Sequence, residues 1–220
     1  MKWQEEVVYL LGDEYFDAVE EAINEAKRSV QFQSCIFSYD RIGQRFAALL
    51  CQAAKRNIEV RIIVDGIGSL GWIAHFGKEI TESGGQTKVF HRLPWDAALS
   101  KIQIKSEKLS ALQLLGYVNK RAHAKLIIID GVVAFVGSRN ISANHSETLN
   151  ESKAWLDVSV KVAGNGVEDL SYAFDYLWLS RGEKGRFHIK SLLKKRRILS
   201  QNIRLNIFWR QRKRNYKELC

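Results

Sequence analysis

His123-Ala-Lys125-Leu-Ile-Ile-Ile-Asp130-Gly-Val-Val-Ala-Phe-Val-Gly137-Ser138-Arg-Asn140 is the stretch on which the reading of this 220-residue chain turns. Two apolar, largely β-branched runs, 126–129 and 132–136, flank Asp130-Gly131. A two-residue Asp-Gly between strands predicts a hairpin closed by a type I′ turn. Pairing Ile129 with Val132 then sets Lys125 opposite Val136 and His123 opposite Ser138. Strand side chains alternate between faces with period two, so His123 and Lys125 share a face, and Ser138 and Asn140 join them from the partner strand. Four polar groups meet at one end of the hairpin. Asp130 occupies the other end, where seven residues at about 3.3 Å each separate it from His123 by on the order of 20 Å, and it reads as a turn residue.

Outward from the hairpin, the pattern is that of an α/β domain. Phe16, Val19, Ile23, Ala26 and Val30 recur at three- and four-residue steps. Asp13 and Glu14 stand ahead of them and Lys27 and Arg28 behind, as in a helix whose charges match its dipole. A strand over 30–37, a helical stripe of Ile42, Phe46, Leu49, Leu50 and Ala53 closed at Asn57, and a Val/Ile-rich strand over 59–65 make a β-α-β unit. Asp65-Gly66-Ile67-Gly68-Ser69 lies just past that last strand, where α/β sheets place binding loops. A helix over 73–83, a strand over 87–93 and a weakly patterned loop over 94–113 precede the hairpin. A strand over 157–162 and a helix over 167–179 follow it. There is no internal repeat.

Composition bounds the function classes. A chain with 46% hydrophobic and 10% aromatic residues and a single proline can bury a sizeable core and is not disordered. Cys35, Cys51 and Cys220 form no Cys-x-x-Cys pair, and their odd number argues against a disulfide framework and for a reducing compartment. The first apolar run, 7–11, is too short for a signal peptide, and no run of about 18 apolar residues is present to span a bilayer, so a soluble or peripheral protein is expected. From residue 181 onward there are 14 Lys or Arg against two acids, which accounts for the whole formal charge of +10. The expected division is therefore a domain over 1–182 and a basic linker or tail over 183–220. Such a tail attracts anionic lipid headgroups at about 1 kcal/mol per basic residue near the surface, or nucleic-acid phosphates. Phe208 and Trp209 beside Arg210, Arg212, Lys213 and Arg214 add the apolar component of a membrane interface.

His-x-Lys, four residues, Asp, six residues, then Gly-Ser-x-Asn resembles the signature of the phospholipase D superfamily, and every position of that pattern is matched by His123, Lys125, Asp130, Gly137, Ser138 and Asn140. The resemblance runs over essentially the whole chain. Trp155-Leu156-Asp157, the strand leading to Gly164, and Ile36-Phe37-Ser-Tyr-Asp40 with Asp65-Gly66 are similar to the N-terminal half of bacterial cardiolipin synthases. Cys35 stands where an aromatic residue is usual. Those enzymes carry two such motifs and this chain carries one. The resemblance implies a phospholipase D-like mixed β-sheet flanked by helices and a catalytic set that includes His123, Lys125 and Asp130. It implies a phosphatidylglycerol-type phospholipid substrate and a peripheral place on the inner face of the cell membrane. It also implies that the site needs a second motif, from a homodimer mate or from a C-terminal half for which 203–220 resembles the beginning.

The residue types suit phosphoryl transfer. Imidazole titrates near neutral pH, so one histidine can attack phosphorus while another protonates the departing alcohol. Lys125 and Asn140 can donate to non-bridging oxygens of a pentacoordinate transition state, and Ser138 adds a hydroxyl. A carboxylate is needed to hold the histidine tautomer; the resemblance assigns that role to Asp157, with Glu151 as runner-up. The hairpin face offers no carboxylate set for a two-metal site, so a metal-independent reaction without cofactor is expected. His75, His91, His145 and His188 lack ligand spacing and read as surface or satisfied core residues. Neither a phosphate-cradling Gly-x-x-x-x-Gly-Lys loop nor a Gly-x-Ser-x-Gly elbow occurs. Phosphatidyl transfer is the leading expectation, with nucleic-acid phosphodiester cleavage by a homodimer, or an inactive membrane-binding half, as the alternatives.

Overall fold

A computed structural model describes residues 3–90 and 123–179. The chain divides into two compact units, Met1–Asp175 and Tyr176–Cys220, and the first holds the whole sheet. That sheet has seven strands: β1 (Glu5–Tyr9), β2 (Ser29–Ser34), β3 (Glu59–Asp65), β4 (Gln86–Phe90), β5 (Lys125–Ile129), β6 (Val133–Gly137) and β7 (Ser159–Ala163). Their order in space is β1-β7-β6-β5-β2-β3-β4. β2, β3 and β4 run parallel, while β1, β7, β6 and β5 pair antiparallel in turn and β5 pairs antiparallel with β2. The expected mixed sheet is therefore present.

The parallel half follows from the β-α-β pattern. Helix α2 (Arg41–Lys55) buries Ile42, Phe46, Leu49, Leu50 and Ala53, the stripe read from the sequence, and Asp40 caps it by accepting from the Gly43 N–H at 2.9 Å. Helix α1 (Gly12–Glu25) buries Tyr15, Phe16, Val19 and Ile23 against the same face of the sheet. It stops before Lys27 and Arg28, so these bases serve no helix dipole. Their backbone N–H groups are instead taken up by Asp130. The helix expected over 73–83 is two short ones, α3 (Leu70–His75) and α4 (Gly77–Glu82), meeting at Phe76. The edge strand β1, absent from the sequence reading, is recruited by β7.

Between α1, α2 and the sheet lies an aromatic core. Phe16 packs on Phe46 with ring centroids 5.7 Å apart, Phe46 on Phe32 at 6.3 Å, and Tyr15 edge-on to Phe135 at 6.0 Å. Each such ring, buried completely, contributes on the order of 1.5–3 kcal/mol. On the opposite face the sheet is more polar. Asp175, on helix α5 (Val167–Leu179), accepts from Gln31 at 3.0 Å and Arg61 at 2.9 Å, and Ser171 donates to Gln31 at 2.8 Å.

The hairpin departs from its expected register. Asp130 and Gly131 have φ of 55° and 72°, and the Val132 N–H donates to Ile129 O at 3.0 Å, which is the type I′ geometry. Yet the ladder pairs Ile129 with Val133, one residue later than expected, and Lys125 lies opposite Gly137 rather than Val136. The extra residue is Val132, whose carbonyl accepts from Gly164 N–H while Asp130 N–H donates to Ser29 O. The turn is gripped from both sides by the sheet, and those bonds decide the register.

Candidate functional site

The site is built where β5 begins and β6 ends. Lys125, the first residue of β5, is 6% exposed, and its Nζ donates to His123 O at 2.8 Å and lies 3.2 and 3.4 Å from the two His123 ring nitrogens. Burial pushes the Lys125 ammonium below its ordinary pKa, against the opposing pull of Cys35 and Asp157. His123 itself is exposed. His123 and Lys125 meet at the start of β5, but the one-residue shift removes the pairing of His123 with Ser138 that was expected to bring Ser138 and Asn140 onto the same face.

Gly137, across from Lys125, is the point of closest approach between β6 and β7. A Cβ there would stand 2.5 Å from both Val158 O and Ser159 Oγ. This packing brings Ser138 onto the entry of β7, where its N–H donates to Val158 O at 3.0 Å and its hydroxyl donates to Asp157 Oδ1. Asn140 follows, largely buried. Its Oδ1 accepts from the Ile36 N–H at 3.1 Å, which leaves the Nδ2 amide group to donate to a ligand.

The carboxylate that joins the cluster is Asp157. Besides Ser138, its Oδ2 lies 3.2 Å from His145 Nδ1. Of the two acids considered from sequence, Glu151 heads a short 3-10 turn with its side chain in solvent. Asp130, which the resemblance placed in the catalytic set, lies away from this cluster. It sits in the hairpin turn, five residues past Lys125 and so about 17 Å along the strand. Its carboxylate accepts from the N–H groups of Lys27, Arg28 and Ser29 at 2.9, 2.7 and 2.8 Å. Burial alone would raise its pKa; these bonds overcome that and hold it below the usual carboxylate value. Asp130 anchors the hairpin to the start of β2.

His145 is the residue near this site to which sequence reasoning gave no role. It is fully buried, as a core histidine would be, but its ring lies between Asn140 and Asp157. The only signal was its position between the motif and Trp155-Leu-Asp157, and that does not reveal direction. His75 stacks on Tyr39 with centroids 3.9 Å apart. His91, His188 and the basic segment over 183–220 lie outside the described residues. Among the described residues no three His, Cys, Asp or Glu side chains converge as metal ligands, and no helix is long and apolar enough to cross a membrane.

The family model described as "Cardiolipin synthase, PLD-like domain" matches residues 19–178, which is most of the chain and includes the whole site. The chain belongs to this family. Within the family, cardiolipin synthase A of Pseudomonas fluorescens (strain SBW25) is 31% identical over 179 residues, a match covering 79% of this chain and 34% of that protein. The chain thus spans about a third of the length of the curated relatives it matches. Among solved structures, the phospholipase D family member Nuc from Salmonella typhimurium aligns with a TM-score of 0.53 at 19% identity, over 79% of this chain and 95% of that one. The phosphatidylserine synthase of Haemophilus influenzae Rd KW20 aligns at 0.54 with 14% identity, over 89% of this chain and 44% of that one. These two likenesses concern the fold, the phospholipase D-like α/β sheet.

Proposed function

We propose that this cardiolipin synthase-like domain carries one half of a phosphatidyltransferase site, with His123 as nucleophile. The observation that carries the reading is the buried Lys125 ammonium against both ring nitrogens of His123. A ring nitrogen of His123 attacks the phosphorus of a phospholipid such as phosphatidylglycerol and forms a P–N bond. The P–O bond to the departing alcohol breaks, and that alcohol takes a proton from a second histidine. An acceptor hydroxyl then loses its proton to the second histidine and attacks phosphorus, releasing His123. Lys125, Asn140 and Ser138 stabilise the charge that develops on the non-bridging oxygens. Asp157 holds the Ser138 hydroxyl in place.

The second histidine comes from another copy of the motif, in a homodimer mate or in a separate C-terminal half. The basic segment over 183–220 favours an anionic bilayer surface. No metal or cofactor enters this reading. The test is phosphatidyl transfer between labelled phosphatidylglycerol molecules in mixed micelles, by this chain alone and with a cardiolipin synthase C-terminal half supplied separately. His123→Ala is expected to lower transfer by at least ~10³-fold, and a chelator to leave it unchanged. Transfer that survives His123→Ala, or cleavage of DNA without any lipid transfer, overturns the proposal.

A further inference from the structure

His145 is fully buried, and it is held there from several directions. It ends the 3-10 turn Ala143–His145, whose start is fixed by Asp40, which accepts from the Ala143 N–H at 2.8 Å and the Ser142 hydroxyl at 3.2 Å. Its carbonyl oxygen packs so closely on α1 that a Cβ on Gly12 would lie 1.6 Å away. Its ring stands edge-on to Trp155, at 5.4 Å and 90°. The ring therefore has little freedom to turn.

Both ring nitrogens face the site. Nε2 accepts from the Asn140 backbone N–H at 3.3 Å, so in a neutral imidazole the proton resides on Nδ1. Nδ1 is buried 3.2 Å from Asp157 Oδ2 without a hydrogen bond of good geometry between them, and Asp157 Oδ1 accepts from Ser138. Burial lowers the pKa of His145, with Asp157 and a hydrogen bond to the Trp155 backbone opposing and Arg139 and Lys125 reinforcing, which favours the neutral ring. A neutral imidazole with one acceptor and one donor is suited to joining an amide N–H to a carboxylate.

We propose that His145 is a positioning residue of the phosphoryl site: Nε2 fixes the backbone of Asn140, and the close approach of the buried Nδ1 sets the place of the Asp157 carboxylate that holds Ser138. This rests on the phosphate-binding role given above to Asn140 and Ser138. Through one ring, the end of β6 and the entry of β7 are locked in the spacing that presents both phosphate donors. A side chain that merely filled space would be replaceable by another ring.

The full chain, labelled with ¹⁵N-histidine, provides the test. Long-range ¹H–¹⁵N spectra at pH 7 should show one histidine as the neutral Nδ1–H tautomer, missing in His145→Phe. An Nε2–H tautomer or an imidazolium for that residue at pH 7 overturns the proposal. Inorganic phosphate is then titrated while the His123 ring signals are followed. His145→Phe should weaken phosphate binding about tenfold, which is about 1.4 kcal/mol. His145→Asn, which keeps a donor towards Asp157, and His145→Gln, which keeps an acceptor towards Asn140, should each recover part of the loss, and they replace the Phe variant should it not fold. Unchanged phosphate affinity in a folded variant lacking both contacts overturns this proposal alone. Failure of phosphate to bind the wild-type chain overturns the phosphate-site reading, and this one with it.

Discussion

Asp130 shows how a residue of the motif serves the fold. Its carboxylate satisfies three backbone N–H groups at the start of β2, so Asp130→Ala leaves three donors without their partner. A loss of about 1–3 kcal/mol in unfolding free energy is expected, measured by urea denaturation at pH 7. The pH dependence has a definite sign. The folded pKa lies below the unfolded value of about 3.9, so the stabilisation is present above pH 4 and is lost as pH falls through the folded pKa. The gap between wild type and Asp130→Ala should therefore narrow as pH falls below 4; a gap that does not change with pH argues against carboxylate bonding as its origin. Lys125 behaves differently, because its bonds are to the site. Lys125→Met should preserve the unfolding midpoint to within about 1 kcal/mol yet reduce phosphatidyl transfer by roughly 10²–10³-fold, since removing one preorganised donor to developing charge costs about that much.

At the level of elements, the contact between β6 and β7 is the one on which the site depends. Gly137 permits it, and Gly137→Ala would drive a methyl group against Val158 O and Ser159 Oγ at 2.5 Å. Overpacking of that kind typically costs about 1–3 kcal/mol, and here it separates Ser138 from Asp157 as well. Differential scanning calorimetry should show a lowered Tm, and any transfer activity should fall further than the stability loss explains. A second joint is the reciprocal capping of α1: Glu147 accepts from the Gly12 and Asp13 N–H groups, and Asp13 accepts from the Thr148 N–H at 2.7 Å. Neither joint was legible in the sequence. Gly137 was recognised as part of a motif, but the strand it lets approach lies twenty-two residues on. The helical stripe of α2, by contrast, was readable because its periodicity is local.

For the molecule as a whole, the proposed site has one histidine nucleophile and needs a second motif. Light scattering of the purified chain over a concentration series in moderate salt should report either a species near twice 25.2 kDa or a monomer. A dimer is expected to show transfer by itself, while a monomer is expected to show it only with a C-terminal half added. The charge of the basic segment gives an independent expectation. The chain should co-sediment with phosphatidylglycerol vesicles at low salt and release near 1 M salt, where the Debye length falls to about 3 Å. Equal retention on neutral vesicles at both salt concentrations would rule out electrostatic capture.

The sequence by itself determined the α/β class, the β-α-β unit and the α2 core stripe, because period and turn chemistry are properties of neighbouring residues. Tertiary structure alone decided that the hairpin pairs Ile129 with Val133, that Asp130 anchors β2, that Glu5–Tyr9 becomes an edge strand, and that His145 turns its ring between Asn140 and Asp157. Each of these depends on which distant backbone groups and carboxylates still lack partners when the sheet closes, and burial makes those unmet bonds costly enough to override local preference.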